Sequence, residues 1–238
     1  MCLRFNSTAR LGFGHHIPQK FSLGSLRSHE VGRVGLARAL APPAVGFLAG
    51  SVPLSNLVAR WRSGVDLRCF GNGTVSGTAL AQAAGVGALV VTGIFEVAKG
   101  ALGPALARRR PLLAAFAGAC AVSGHNWSPW LRGAGGRGIS PAMGALAVTA
   151  PAGAAVLLAG LAVGRAGGET ALGSFAADVL VVPLARRYHG DAGALAAAAV
   201  VAPMVLKRLA GNRPPSRQRL GVYLCRLLFD RDTWAKAK

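Results

Sequence analysis

Charge is scarce in this chain, and what there is sits in clusters. Only 15% of the 238 residues are charged, against about 25% in a soluble domain. Charges vanish from long windows and crowd between them, the pattern of a chain whose solvent alternates between lipid and water. Aromatics are 6%, and no basic face carries the stacking or base-reading groups of a nucleic-acid module, so nucleic acid is not an expected partner. The four cysteines, Cys2, Cys69, Cys120 and Cys225, have no paired spacing. That excludes a zinc pattern and a disulfide framework, and no metal or cofactor is expected. A Walker A lysine is absent, and so is an internal repeat.

What remains is apolar and basic. Hydrophobic residues are 52% of the chain, with 33 glycines, and the mean hydropathy is +0.43. In water so much glycine weakens helices; in lipid it lets helix backbones approach closely. Gly46/Gly50 and Gly160/Gly164 have the small-xxx-small spacing. The net charge of +19 points to anionic lipid headgroups or phosphorylated substrates.

The expected fold is an all-α, polytopic transmembrane helix bundle with five to seven crossings, some short or broken. Residues 1–38 are polar and basic and read as a disordered extension. Residues 39–211 form the membrane domain, and 212–238 a basic cytoplasmic tail whose segment Leu220–Phe229 suits an amphipathic helix on anionic lipid. Uncharged or nearly uncharged stretches run over 39–59, 69–95 (helical from about Thr78), 111–131, 138–164, 170–185 and 192–206. Pro42, Pro43, Pro53, Pro183 and Pro203 are expected to bend or break helices. The nearly neutral segment 165–169 reads as an outside loop, which turns 132–137 and 186–187 to the cytoplasm. Strict alternation then leaves either 60–68 or 99–110 on the unfavoured side.

Three polar clusters interrupt the apolar pattern. Gly50-Ser51-Val52-Pro53 lies inside the first stretch. Asp66-Leu67-Arg68 leads into Gly71-Asn72-Gly73-Thr74-Val75-Ser76-Gly77-Thr78, a glycine- and hydroxyl-rich loop running into a helix N-terminus. Such a loop can curl backbone N–H groups around an anion, and Arg68 can add a bidentate phosphate contact. Gly124-His125-Asn126-Trp127 is followed by a second basic, glycine-rich loop ending in Gly135-Gly136-Arg137-Gly138, suited to a second phosphate. His125 is a candidate base or a helix cap. Lys99 can reach a phosphate, and Asp178, costly in lipid, should face the bundle interior.

Taken in order, these clusters resemble the bacterial acyl-phosphate-dependent glycerol-3-phosphate acyltransferase family, PlsY. That family reads Gly-Ser-Ile-Pro, Asp-Ile-Arg, a Gly-Ser-Gly-Asn-x-Gly-Ala-Thr-Asn loop, Asp-x-x-Lys-Gly, Gly-His-Asn-Phe-Pro and Lys-Gly-Gly-Lys-Gly. The chain offers Gly50 to Pro53, Asp66 to Arg68, Gly71 to Thr78, Glu96-Val97-Ala98-Lys99-Gly100, Gly124 to Trp127 and Gly135 to Gly138. The resemblance implies acyl transfer from acyl phosphate to the 1-hydroxyl of glycerol 3-phosphate, giving lysophosphatidate, at the cytoplasmic face of a bacterial plasma membrane. It implies phosphate binding by Ser51, Arg68 and Lys99, a loop for glycerol 3-phosphate shaped by Gly71, Gly73 and Gly77, and a further phosphate contact at Arg137. The catalytic candidates are His125 and Asn126. The family's C-terminal His-Arg-Glu-Asn is replaced by Ala202, Pro203, Met204 and Val205. Two alternatives stand beside this reading: a non-catalytic member that binds phosphorylated lipid precursors, and a small transporter with Asp178 as coupling group.

Overall fold

The computed structural model describes residues 23–215 and 219–234, with side chains from residue 35 onward. The chain divides into two compact units, 1–37 and 38–238. The expected N-terminal extension lies largely outside the described residues, as does the stretch 216–218 of the basic tail.

Among the described residues every regular element is a helix: α1 (Leu23–Ser51), α2 (Leu54–Ser63), α3 (Gly77–Ala84), α4 (Val86–Leu106), α5 (Pro111–Asn126), α6 (Ile139–Thr149), α7 (Pro151–Ala166), α8 (Thr170–Ala210) and α9 (Leu220–Phe229). Gly35–Ser63, Val86–Leu106 and Thr170–Ala210 are long and apolar enough to cross a membrane. The chain is a multi-pass membrane protein. On α4, Val90, Val91, Ile94 and Phe95 are all more than half exposed, an outer surface that only lipid solvates well.

The breaks have local causes. Pro53 separates α1 from α2. Gly85, at φ 88°, ends α3 before α4, so the helix expected from Thr78 is two helices with a turn between them. The stretch 138–164, expected as one clean run, is also two. Ala150 is forced out of the α region by Pro151 (φ −156°, ψ 76°), as a residue before proline tends to be. The segments 170–185 and 192–206 are the arms of α8, joined through Gly190, whose φ of 65° and ψ of −160° turn the chain. Pro42, Pro43, Pro183 and Pro203, by contrast, stay inside helices.

Helix contacts run through small residues. A Cβ added at Gly46 or Gly50 meets the carbonyl oxygens of Ala117 and Ala121 on α5 at 2.5 and 2.1 Å. Gly100 and Gly144 hold α4 against α6, and Gly160 and Gly164 hold α7 against Gly173 of α8. Val122, Leu146, Leu157, Val181, Val200 and Met204 fill the core between α5, α6, α7 and α8.

The path of the chain corrects the expected topology. α1 and α5 end, and α4 begins, at one end of the bundle. α6 leaves that end and α7 returns to it; the first arm of α8 leaves and the second returns. Arg165, Gly168 and Glu169 therefore border the same cavity as Arg137. Arg186 and Arg187 lie at the far end, where the Ala152 amide donates to His189 Nε2 at 3.1 Å. The segment 165–169 shares a face with 132–137, and 186–187 does not. Charge along the sequence misled because the extra break at Ala150 reverses the direction of every later helix.

Candidate active site

Proline breaks the first membrane helix, and the freed backbone groups set up the site. The Val52 carbonyl, left without a helical partner, accepts a 2.6 Å bond from Lys99 Nζ. The Ser51 carbonyl accepts from Ser128 Oγ at 2.6 Å. Ser51 Oγ donates to the Leu48 carbonyl and accepts from Trp130 Nε1, and the residue is 1% exposed. Ser51 and Lys99 are thus committed to the broken helix.

Lys99 lies one helical turn from Glu96. Its Nζ is 2.7 Å from Glu96 Oε2, and both side chains are almost fully buried. The same Oε2 lies 3.1 Å from His125 Nδ1 on α5. Ser55 donates to Oε1 through both its amide and its hydroxyl, at 3.4 and 3.2 Å. Glu96 is therefore held from three helices. With Nδ1 this close to the carboxylate, a proton held on Nδ1 leaves the other imidazole nitrogen as the basic one. A Cβ on Gly136 would approach His125 Nε2 to 2.2 Å, so glycine is needed there for the ring to fit.

His125 and Glu96 border a cavity of about 570 Å³. Its polar wall is the loop from Gly71 to Thr78, and Arg137, Arg165, Arg208 and Arg231 supply positive charge. Leu89, Gly93, Ile139 and Leu161 give it an apolar side. The two glycine-rich loops are stitched together by Asn212, whose Nδ2 donates to the carbonyls of Gly73 and Gly135, both at 2.8 Å. Val75 adds a backbone bond to Gly135. The turn at Gly71 and Gly73 uses positive φ, 53° and 75°, which glycine adopts without steric cost. The Ser76 hydroxyl caps α3 by accepting from the Ala79 amide.

Of the residues singled out in the sequence, Gly71, Gly77, His125 and Arg137 border the cavity; Ser51, Arg68, Gly73, Lys99 and Asn126 do not. Asn126 has no exposed surface and donates to the Pro203 carbonyl at 2.8 Å, tying α5 to α8. Arg68 is held in a two-point pair with Asp66, at 3.0 Å through Nε and 2.6 Å through Nη2. Asp178 is paired with Arg208 at 3.4 Å, both side chains 1% exposed, so the intramembrane acid joins the two arms of α8. Sequence reasoning missed Ser55 and Asp230 at the cavity. They carry no motif, and only the fold brings them together.

Arg68 beside it holds the Asp66 carboxyl down at about 2, with hydrogen bonding the main cause. A carboxyl with a lowered folded-state value stabilises the native loop fully above its ordinary value and loses that contribution as pH falls through the folded value. The Asp66–Arg68 turn is accordingly expected to hold down to about pH 4 and to loosen towards pH 2. Asp66→Asn should abolish that step in a pH titration of loop proteolysis. The effect is small, because the pair is partly exposed to solvent.

Residues 40–213 match the model of a family described as glycerol-3-phosphate acyltransferase. A protein of Myxococcus xanthus (strain DK1622) named glycerol-3-phosphate acyltransferase is 38% identical over 148 residues, 58% of this chain and 74% of its own. One of Synechococcus sp. (strain CC9902) with the same name is 33% identical over 173 residues, 71% and 86% of the two chains. A third, glycerol-3-phosphate acyltransferase 5 of Dehalococcoides mccartyi, is 36% identical over 121 residues, half of its length. In fold the chain is similar to a crystal structure of PlsY (YgiH), described as an integral membrane glycerol 3-phosphate acyltransferase in its glycerol 3-phosphate form. The TM-score is 0.65 at 23% identity, over 71% of this chain and 88% of that one.

Proposed function

Because the chain belongs to the glycerol-3-phosphate acyltransferase family, we propose that it transfers an acyl group from acyl phosphate to the 1-hydroxyl of glycerol 3-phosphate. The products are lysophosphatidate and inorganic phosphate. The observation that carries this reading is the Glu96–His125 pair opening onto the cavity that Arg137 and the Gly71–Thr78 loop share.

The chemistry follows from that arrangement. The loop and the arginines draw in two phosphorylated substrates, which fits a wall rich in N–H donors and positive charge. The apolar side, Leu89 and Leu161, takes the start of the acyl chain, and the exposed Val90 and Ile94 beyond it lead to lipid. The glycerol hydroxyl gives its proton to the free imidazole nitrogen of His125 as its oxygen attacks the acyl carbonyl. The bond between the acyl carbon and the phosphate oxygen then breaks, and the departing phosphate takes the proton. Arginines facing the cavity stabilise the charge that develops on the carbonyl and phosphate oxygens. The family's C-terminal His and Asn have no counterpart here. Ala202 and Val205 stand in their places, so His125 carries the base role. Ser51, Lys99 and Asn126 support the site from behind, and Arg68 shapes the loop with Asp66. The cavity face, which holds the basic segments 60–68, 132–137 and 207–213, is the cytoplasmic one by the charge rule, in a bacterial plasma membrane.

The test is phosphate release from palmitoyl phosphate by the purified protein in detergent, with and without glycerol 3-phosphate. Release that requires glycerol 3-phosphate and yields lysophosphatidate is the expected result. His125→Ala should lower the rate by about 10²- to 10⁴-fold; an unchanged rate removes the base role. No release by the folded wild type would leave a non-catalytic binder of phosphorylated precursors.

A further inference from the structure

The cavity has one wall that lies outside the matched family segment. The match ends at residue 213, whereas Phe229, Asp230 and Arg231 border the cavity from the turn after α9. α9 is clamped to the bundle. Arg226 Nη1 donates to the carbonyls of Leu209 and Ala210, its Nη2 donates to that of Arg213, and its Nε meets Asp232 at 2.5 Å. Arg208 Nη1 donates to the Leu227 carbonyl. The turn is therefore delivered to a fixed place.

At that place Asp230 reaches into the site. Its Oδ1 is 2.6 Å from Arg137 Nη2. Arg137 Nη2 also donates to Thr74 Oγ1 and Nη1 to the Lys207 carbonyl, so the end of the guanidinium fork is filled by the protein itself. A guanidinium takes a carboxylate or a phosphate in the same way, and the two anions repel each other when they crowd one fork. Burial pushes the Asp230 carboxyl up, with Arg137, Arg208 and Arg226 opposing that rise. The carboxylate is held in the cavity by the same charges that suit a phosphate. Asp230 has φ 55°, and Asn72 Nδ2 donates to its carbonyl at 3.1 Å.

We propose that Asp230 sets the phosphate affinity of this cavity as a built-in competitor, its carboxylate holding Arg137 until the phosphate of a substrate displaces it. The identity of that substrate rests on the acyltransferase reading; the competition does not. Displacement requires only the turn at 230 to move, with α9 left docked. A ligand that lacks a phosphate does not free Arg137, so the contact also discriminates against uncharged alcohols.

The experiment is calorimetric binding of inorganic phosphate and of glycerol 3-phosphate to the full chain in detergent, with Asp230→Asn and Asp230→Gly. Glycine accepts the positive φ without strain, so the second variant keeps the turn if the first disturbs it. Both variants should bind phosphate about fivefold tighter or more, the lower end of typical coupling between sites, and the KM for glycerol 3-phosphate should fall with it. Unchanged or weaker phosphate binding in both would overturn the proposal and make Asp230 a residue that positions Arg137. Phosphate binding is read without turnover. Tighter binding in the variants of a wild type that transfers no acyl group would therefore sink the acyltransferase reading and keep this one.

Discussion

Glu96→Ala is expected to abolish acyl transfer and to lower the stability of the bundle together. The carboxylate holds His125 Nδ1, Lys99 Nζ and both donors of Ser55. Without it the imidazole loses the partner that selects its tautomer and fixes its plane. A misplaced base costs about 10²-fold or more in rate. Lys99 meanwhile keeps only the Val52 carbonyl, as a buried cation without a counter-ion. Breaking one side of a buried ion pair costs about 3–5 kcal/mol. Glu96→Gln separates the two effects, since the amide can still meet Ser55 but cannot balance Lys99 or orient His125 as a carboxylate does. The measurement is the rate of acyl transfer alongside the melting temperature in detergent. A Glu96→Gln protein with wild-type kcat would remove Glu96 from the catalytic pair, and a Glu96→Ala protein with wild-type melting would remove it from the fold.

Gly144→Val should prevent normal assembly of the bundle. A Cβ at residue 144 lies 1.9 Å from the Val97 carbonyl oxygen on α4. The obstacle is backbone, which cannot rotate away as a side chain can, so α4 and α6 must separate. Overpacking of a tight core costs about 3 kcal/mol at the upper end of its usual range. At about 2–4 °C per kcal/mol for a chain of this size, the melting temperature falls by about 10 °C. Separation of α4 from α6 also moves Glu96 relative to His125 on α5, so activity is lost even in the fraction that folds. Gly87→Ala is the control. It lies on α4, the helix that Gly144 packs against, nothing stands within 4 Å of its added Cβ, and alanine is the better helix former. Equal melting of Gly144→Val and wild type would show that the α4–α6 contact tolerates a side chain.

The sequence by itself determined the solvent of this protein and the order of its polar parts. Charge-free stretches between arginine clusters require lipid, because no other medium suits residues such as Val90, Ile94 and Phe95 on one outer face. The loop from Gly71 to Thr78, the pair His125-Asn126 and the loop ending in Arg137 were legible as chemistry because polar, glycine-rich segments are otherwise unexplained beside membrane helices. The roles within them were not legible. Ser51, Lys99 and Asn126 look like site residues in one dimension, yet they satisfy the Trp130 ring nitrogen and the carbonyls of Leu48, Val52 and Pro203. Glu96 looked like a neighbour of Lys99, and its bond to His125, 29 positions away, depends on how α4 crosses α5. Gly46, Gly50, Gly160 and Gly164 have a spacing too common to read, and only backbone contact shows which of them the packing requires. The sidedness of the loops changed too, because the break at Ala150 reverses the later helices, and a local steric effect of that kind leaves no trace in the distribution of charge. Asp230 was beyond any motif: it reaches Arg137 only because Arg226 fixes α9 to the end of α8. Composition and local pattern follow from the solvent around each residue, whereas a site made from distant segments follows from which backbones can touch.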